Sequence, residues 1–200
     1  MFAEMQPLYW RIQNKDASGF DAVSLLMPSA DGEPATLFPT DVSFCSRRSG
    51  TQSVDLRWSD DDSDLFMTLL DRVEIPEADE EDDGLVLDIN DGVVQGIVQL
   101  VALARFKTPW PTDELVAEDI NTEREELELG DLAAVNTIHG YATAIVVAMD
   151  SIDITCVLLE DICDDHNILV PHHSLVVVNR ISMLPLAFAE SDIGEGAVRH

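Results

Sequence analysis

Leu132-Ala-Ala-Val-Asn-Thr-Ile-His-Gly-Tyr-Ala-Thr-Ala-Ile-Val-Val-Ala-Met149 is the stretch that decides the fold. Two β-branched, apolar runs are separated only by His139-Gly140. Such runs with so short a break predict two antiparallel strands joined by a tight turn. The pattern continues downstream. Ile152–Leu159, Ile168–Val170 and Leu175–Ile181 are rich in Val, Ile and Leu, and Asp150-Ser151 and Glu160–Asn167 separate them. Strands this short and this closely spaced predict a meander closing into a small antiparallel barrel or sheet.

Working outward, the segment before it is helical and acidic in turn. Val93–Phe106 is apolar almost all round, so it reads as a buried central helix, with Asn90 or Asp91 as its cap. Arg105 and Lys107 complement its dipole, and Pro109-Trp110-Pro111 ends it. Thr112 is placed to cap a further helix over Asp113–Ile120. Thr122 and Glu125 have the spacing of a capping box in the acidic stretch that ends at Gly130.

The N-terminal part reads as β-rich. Leu8–Ile12, Ala22–Met27, Val42–Cys45 and Val54–Trp58 are the strand candidates. Val54, Leu56 and Trp58 alternate with Asp55 and Arg57, the period of a half-buried strand. Asp60–Asp64 then precedes a short helix, whose Leu65, Phe66, Leu69, Leu70 and Val73 recur at helical spacing. Leu85–Ile89 reads as one more buried strand.

The expected class is therefore α+β and β-dominated: an N-terminal β-rich layer, one buried central helix and a C-terminal small barrel or sheet. The boundaries are 1–73 for the β-rich segment, 74–84 for an acidic linker or loop, 85–184 for helix plus barrel, and 185–200 for a C-terminal tail. One integrated domain is the alternative, because Val93–Phe106 needs apolar surface on several sides. From Gly130 to Ile181 the order of strands and turns resembles the SH3-like or Tudor-like barrel layout. Tudor-type modules bind methylated side chains in aromatic cages. Tyr141 is the only aromatic residue in this interval, so the resemblance carries over no function.

The charge narrows the partners. The chain has 39 acidic and 11 basic residues, a formal net charge of −28 over 200 residues, and only two lysines, Lys15 and Lys107. Hydrophobic content is 46%, which separates it from disordered acidic tails. A surface this acidic repels phosphate backbones and anionic membrane faces. Arg47-Arg48 is the only adjacent basic pair. No apolar stretch reaches the ~18 residues of a membrane span. Met1-Phe-Ala-Glu-Met5 lacks the basic start of a secretory signal, so a cytoplasmic location is expected. Cys45, Cys156 and Cys163 read as reduced, unpaired thiols.

Motifs for chemistry are few. Cys163, Asp164, His166, His172 and His173 offer metal-ligand types in one loop, but without the paired spacing of a zinc site. A polar hairpin loop is the simpler reading, and no metal or other cofactor is expected. Counting from Asp60, a calcium loop needs Gly at the sixth position and Glu at the twelfth, where Leu65 and Asp71 stand. There is no Gly-x-Ser-x-Gly elbow and no phosphate-cradling Gly-Lys loop. An enzyme is not expected.

Two functions fit. The first is a non-enzymatic acidic protein that occupies a basic surface of a partner, in the manner of a nucleic-acid mimic, an anti-defence protein or an immunity-type inhibitor. A nucleic-acid-binding protein is one such partner. The expected contact residues are Asp60, Asp61, Asp62, Asp64, Glu80, Glu81, Asp82, Asp83 and Trp110. The second is a structural assembly component, such as a virion or shell protein, with the acid facing solvent; a homo-oligomer and a virion location go with it. Salt adaptation is a background cause compatible with either, since aspartate outnumbers glutamate and lysine is nearly absent. The runs of acid favour the first.

Overall fold

A computed structural model describes residues 7–14, 19–28, 34–45, 52–73, 89–112, 114–117 and 127–186. The chain divides into two compact units, Met1–Phe106 and Lys107–His200. The class is α+β with β dominant. The expected strand Leu85–Ile89 lies outside the described residues save Ile89, which is in a turn.

The N-terminal unit is built on an antiparallel sheet of β1 (Tyr9–Asn14), β2 (Phe20–Met27), β3 (Thr36–Cys45) and β4 (Val54–Arg57), in the order β3-β2-β1-β4. Trp10 faces Leu25 on one neighbour and Leu56 on the other. The β2–β3 register slips between Ala22 and Ser24. Thr40 stitches the slip by donating its hydroxyl to the Val23 carbonyl at 2.8 Å. Pro39 sits opposite Ser24 beside this bulge, on an edge strand, where a missing N–H costs no central ladder bond. Across β1 and β4, Arg11 and Asp55 are direct partners and form a two-pronged ion pair at 2.8 Å.

Helices α1 (Asp60–Arg72) and α2 (Gly92–Phe106) complete the unit. Asp91 caps α2 by accepting the Val93 N–H at 2.7 Å. Val94, Ile97, Val98, Val101, Ala102 and Leu103 are its buried residues. The sequence grouped this helix with the C-terminal strands; it packs instead on β3 and α1. Gln99 ties it to the sheet by accepting the Asp41 N–H at 3.0 Å. An aromatic cluster fills the centre. Fully buried Trp10 stacks on Trp58 at 5.1 Å and meets the Phe106 edge at 5.7 Å, and Trp58 meets Phe66 at 5.6 Å.

The C-terminal unit has β5 (Leu132–Thr137), β6 (Gly140–Met149), β7 (Asp153–Leu158), β10 (Leu175–Asn179) and β11 (Met183–Pro185) in one antiparallel sheet, ordered β10-β7-β6-β5-β11. A two-stranded hairpin of β8 (Ile162–Cys163) and β9 (Ile168–Val170) is inserted between β7 and β10. A 3-10 turn at Arg180–Ser182 precedes β11. Ala133, Val135, Ala144, Val146, Cys156, Leu158, Val176 and Val178 make up much of its core. The β5–β6 turn is tight because Gly140 takes φ +119°, a region that side-chain-bearing residues rarely enter. Thr137 closes the turn by donating to the Gly140 carbonyl at 2.6 Å.

Three expectations need correction here. The strand expected through Ile181 ends at Asn179, whose side chain accepts the Ile181 N–H at 3.1 Å and starts the 3-10 turn. Met183–Pro185, for which no strand was expected and whose last residue opens the expected tail, is a strand on β5. The helix expected over Asp113–Ile120 does not form across its described part: Glu114-Leu115 is a turn, and Val116 bridges to Thr137. Ala117 donates to the Asn136 carbonyl at 2.9 Å, so its N–H goes to the sheet and not to a helix.

Candidate protein-interaction site

Helix α1 carries the first acidic run. Ser59 and Asp62 form a reciprocal capping box: the Ser59 hydroxyl accepts the Asp62 N–H at 3.2 Å, and the Asp62 carboxylate accepts the Ser59 N–H at 2.9 Å. The same carboxylate accepts the Trp10 indole N–H at 3.3 Å. Asp62 is only 4% exposed and faces inward, apart from the contact residues expected beside it. Asp60, Asp61 and Asp64 are exposed. Exposed Met67 and Asp71 extend the same flank at helical spacing, since Asp60, Asp64, Met67 and Asp71 lie three or four residues apart. The sequence missed Met67 and Asp71, although the helical period of the apolar residues already placed both on the outer face. Glu80, Glu81, Asp82 and Asp83 lie outside the described residues.

Trp110 is 42% exposed. Its backbone is held hard: its N–H donates to the Leu175 carbonyl at 2.7 Å, and it bridges Val176 in parallel. Two residues on, buried Thr112 donates its hydroxyl to the Val177 carbonyl at 2.9 Å. The segment thus covers the free edge of β10. Pro109, Trp110 and Pro111 border an open groove of ≈510 Å³ that Asp153, Asn179 and Ser182 also line. Among the described residues Asp153 is the only charged one lining it. Sequence reading found Trp110 from its two prolines. Asp153, Asn179 and Ser182 gave no signal, because only the strand order brings β7, β10 and the 3-10 turn beside it.

The loop with Cys163, Asp164, His166, His172 and His173 is a hairpin, and its polar groups serve its turns. Asp164 accepts the N–H groups of His166 and Asn167 at 2.8 and 2.7 Å, which hold its carboxyl below the usual range. Asp161, absent from the shortlist, accepts both the His172 N–H at 2.6 Å and its Nδ1 at 2.8 Å. Those bonds also lower the Asp161 pKa, the backbone bond most. Among the described residues no three His, Cys, Asp or Glu side chains converge as a metal site. The Cys156 thiol is pushed up to about 12 by burial, while Cys45 and Cys163 are exposed. Among the described residues no helix is long and apolar enough to cross a membrane. Neither a protein-family model nor a curated protein sequence matches this chain.

Proposed function

We propose that the chain is a non-enzymatic binding protein that occupies a basic surface of a protein partner. The observation that carries this reading is the outer face of α1, where Asp60, Asp61, Asp64 and Asp71 project from a helix whose opposite face is locked into the aromatic cluster. Carboxylates fixed on a packed helix lose less freedom on binding than carboxylates on a loose chain. A net charge of −28 adds long-range attraction for a cationic surface and speeds encounter with it. Exposed Met67 amid the acid supplies an apolar contact of the kind found inside interfaces. A nucleic-acid-handling protein is the partner class this charge suits best, with the acid standing in for phosphate.

The test is capture from native lysate at about 0.1 M and near 1 M salt, where the screening length falls from ~10 Å to ~3 Å. The wild type is run beside Asp60→Asn/Asp61→Asn/Asp64→Asn. A basic protein held only at low salt, and lost from the triple variant, supports the reading. Equal capture by both proteins removes α1 from it, and recovery of the chain alone at both salts overturns it.

A further inference from the structure

We infer that the Trp110 groove of the C-terminal unit is a receptor for a single cationic side chain, an arginine presented by the basic partner. This rests on the reading that the partner is basic, and it names a contact which that reading does not require. Three observations carry it.

First, Trp110 is a fixed platform. Its own N–H and the Thr112 hydroxyl are bonded to successive parts of β10, and Pro109 and Pro111 restrict the chain on either side. A large indole 42% exposed in so rigid a setting is surface kept from the core. Second, among the described residues the groove has one charge. Asp153 lines it, no described Lys or Arg does, and no described residue pairs with its carboxylate. Arg180, next in sequence to the lining residue Asn179, is turned to the Asp150 carbonyl at 3.1 Å and the Met149 sulfur at 3.7 Å. Third, two of the other polar side chains that line it are engaged. The Asn179 side chain caps the 3-10 turn, and the Thr112 hydroxyl is spent on Val177.

Among the described residues an indole and a carboxylate are what remains for a ligand, since Ser182 is 2% exposed. A guanidinium fits both, stacking on an aromatic ring while it donates to a carboxylate. Its low hydration suits a partly sheltered groove better than an ammonium does. Attraction at long range from the acidic chain concentrates such ligands near the groove.

The probe is the peptide amide Gly-Arg-Gly-Arg-Gly-Arg, titrated into the full ¹⁵N-labelled chain at about 0.1 M salt. Indole N–H resonances are read, and Trp110→Phe assigns that of Trp110. The same peptide with citrulline for arginine is the neutral control, and hexaproline is a competitor. The expected result is a saturable shift of the Trp110 indole by the arginine peptide and none by the citrulline peptide. Trp110→Ala and Asp153→Asn should each weaken binding about fivefold, and Trp110→Phe less. Asp60→Asn/Asp61→Asn/Asp64→Asn should leave the Trp110 shift in place.

Arginine-peptide binding that Trp110→Ala and Asp153→Asn leave unchanged overturns the groove assignment and spares the acidic-binder reading. Equal binding of the citrulline peptide, or displacement of the Trp110 signal by hexaproline alone, also overturns the assignment. Absence of any binding by the arginine peptide overturns both.

Discussion

Trp10 and Asp62, 52 positions apart, meet through an indole N–H···carboxylate bond of 3.3 Å, with Trp10 wholly buried and Asp62 nearly so. One carboxylate thereby completes a helix cap and satisfies the largest side chain of the N-terminal core. Asp62→Ala should cost about 1–3 kcal/mol, since it removes the reciprocal half of the capping box and leaves a buried indole N–H unpaired. Asp62→Asn should recover part of this through its remaining carbonyl oxygen. Urea unfolding followed by tryptophan fluorescence measures both, and wild-type stability in Asp62→Ala would refute the role.

The three cysteines should separate by reactivity. Cys45 and Cys163 are exposed, and Cys156 is buried with its thiol raised to about 12. A thiol reagent at neutral pH should titrate two thiols in the native chain and the third only on unfolding. Three equally fast thiols would mean that the C-terminal core opens readily.

Asp161 and Asp164 should titrate below the ordinary aspartate value of 3.8, because backbone N–H groups bond their charged forms. Folded values below unfolded ones mean that this support for the hairpin is present above the unfolded value and is lost as pH falls through the folded ones. Carboxyl-carbon NMR reads the midpoints. His172→Ala should move the Asp161 midpoint up while Asp164 stays where it is.

Salt should stabilise the fold. With 39 acids against 11 bases, repulsion within the native chain exceeds attraction, and ions screen it. Thermal melts should rise by a few degrees between about 0.01 and 0.15 M sodium chloride. A flat or falling melting temperature would show the acid to be balanced locally.

Much of this architecture was legible in the residues. Strand period marked Val54–Arg57, and β-branched density marked β5, β6 and β7. The apolar run marked α2, and flanking prolines marked Trp110 as a surface residue. What failed depended on contacts between distant segments. Asp62 looks like its neighbours until the sheet brings Trp10 to it. Val116 and Ala117 have an acidic helix's neighbours but pair with β5. Met183–Pro185 is too short, and ends in a proline, to read as a strand. Of the candidate site, the exposure of Asp60, Asp61, Asp64 and Trp110 was readable in the sequence, whereas Asp153 is beside Trp110 only because β7 and β10 are neighbours.

The pairing of β11 with β5 gives synthesis of the C-terminal unit a late commitment point. Its strand β5 cannot gain one of its two ladders until β11 has left the ribosome. Until then Ala133–Val135 of β5 is an open edge, an invitation to pairing with another chain. A stop codon after Asn179 would make that exposure permanent, so truncated chains should be recovered in inclusion bodies even though most of the core residues are present.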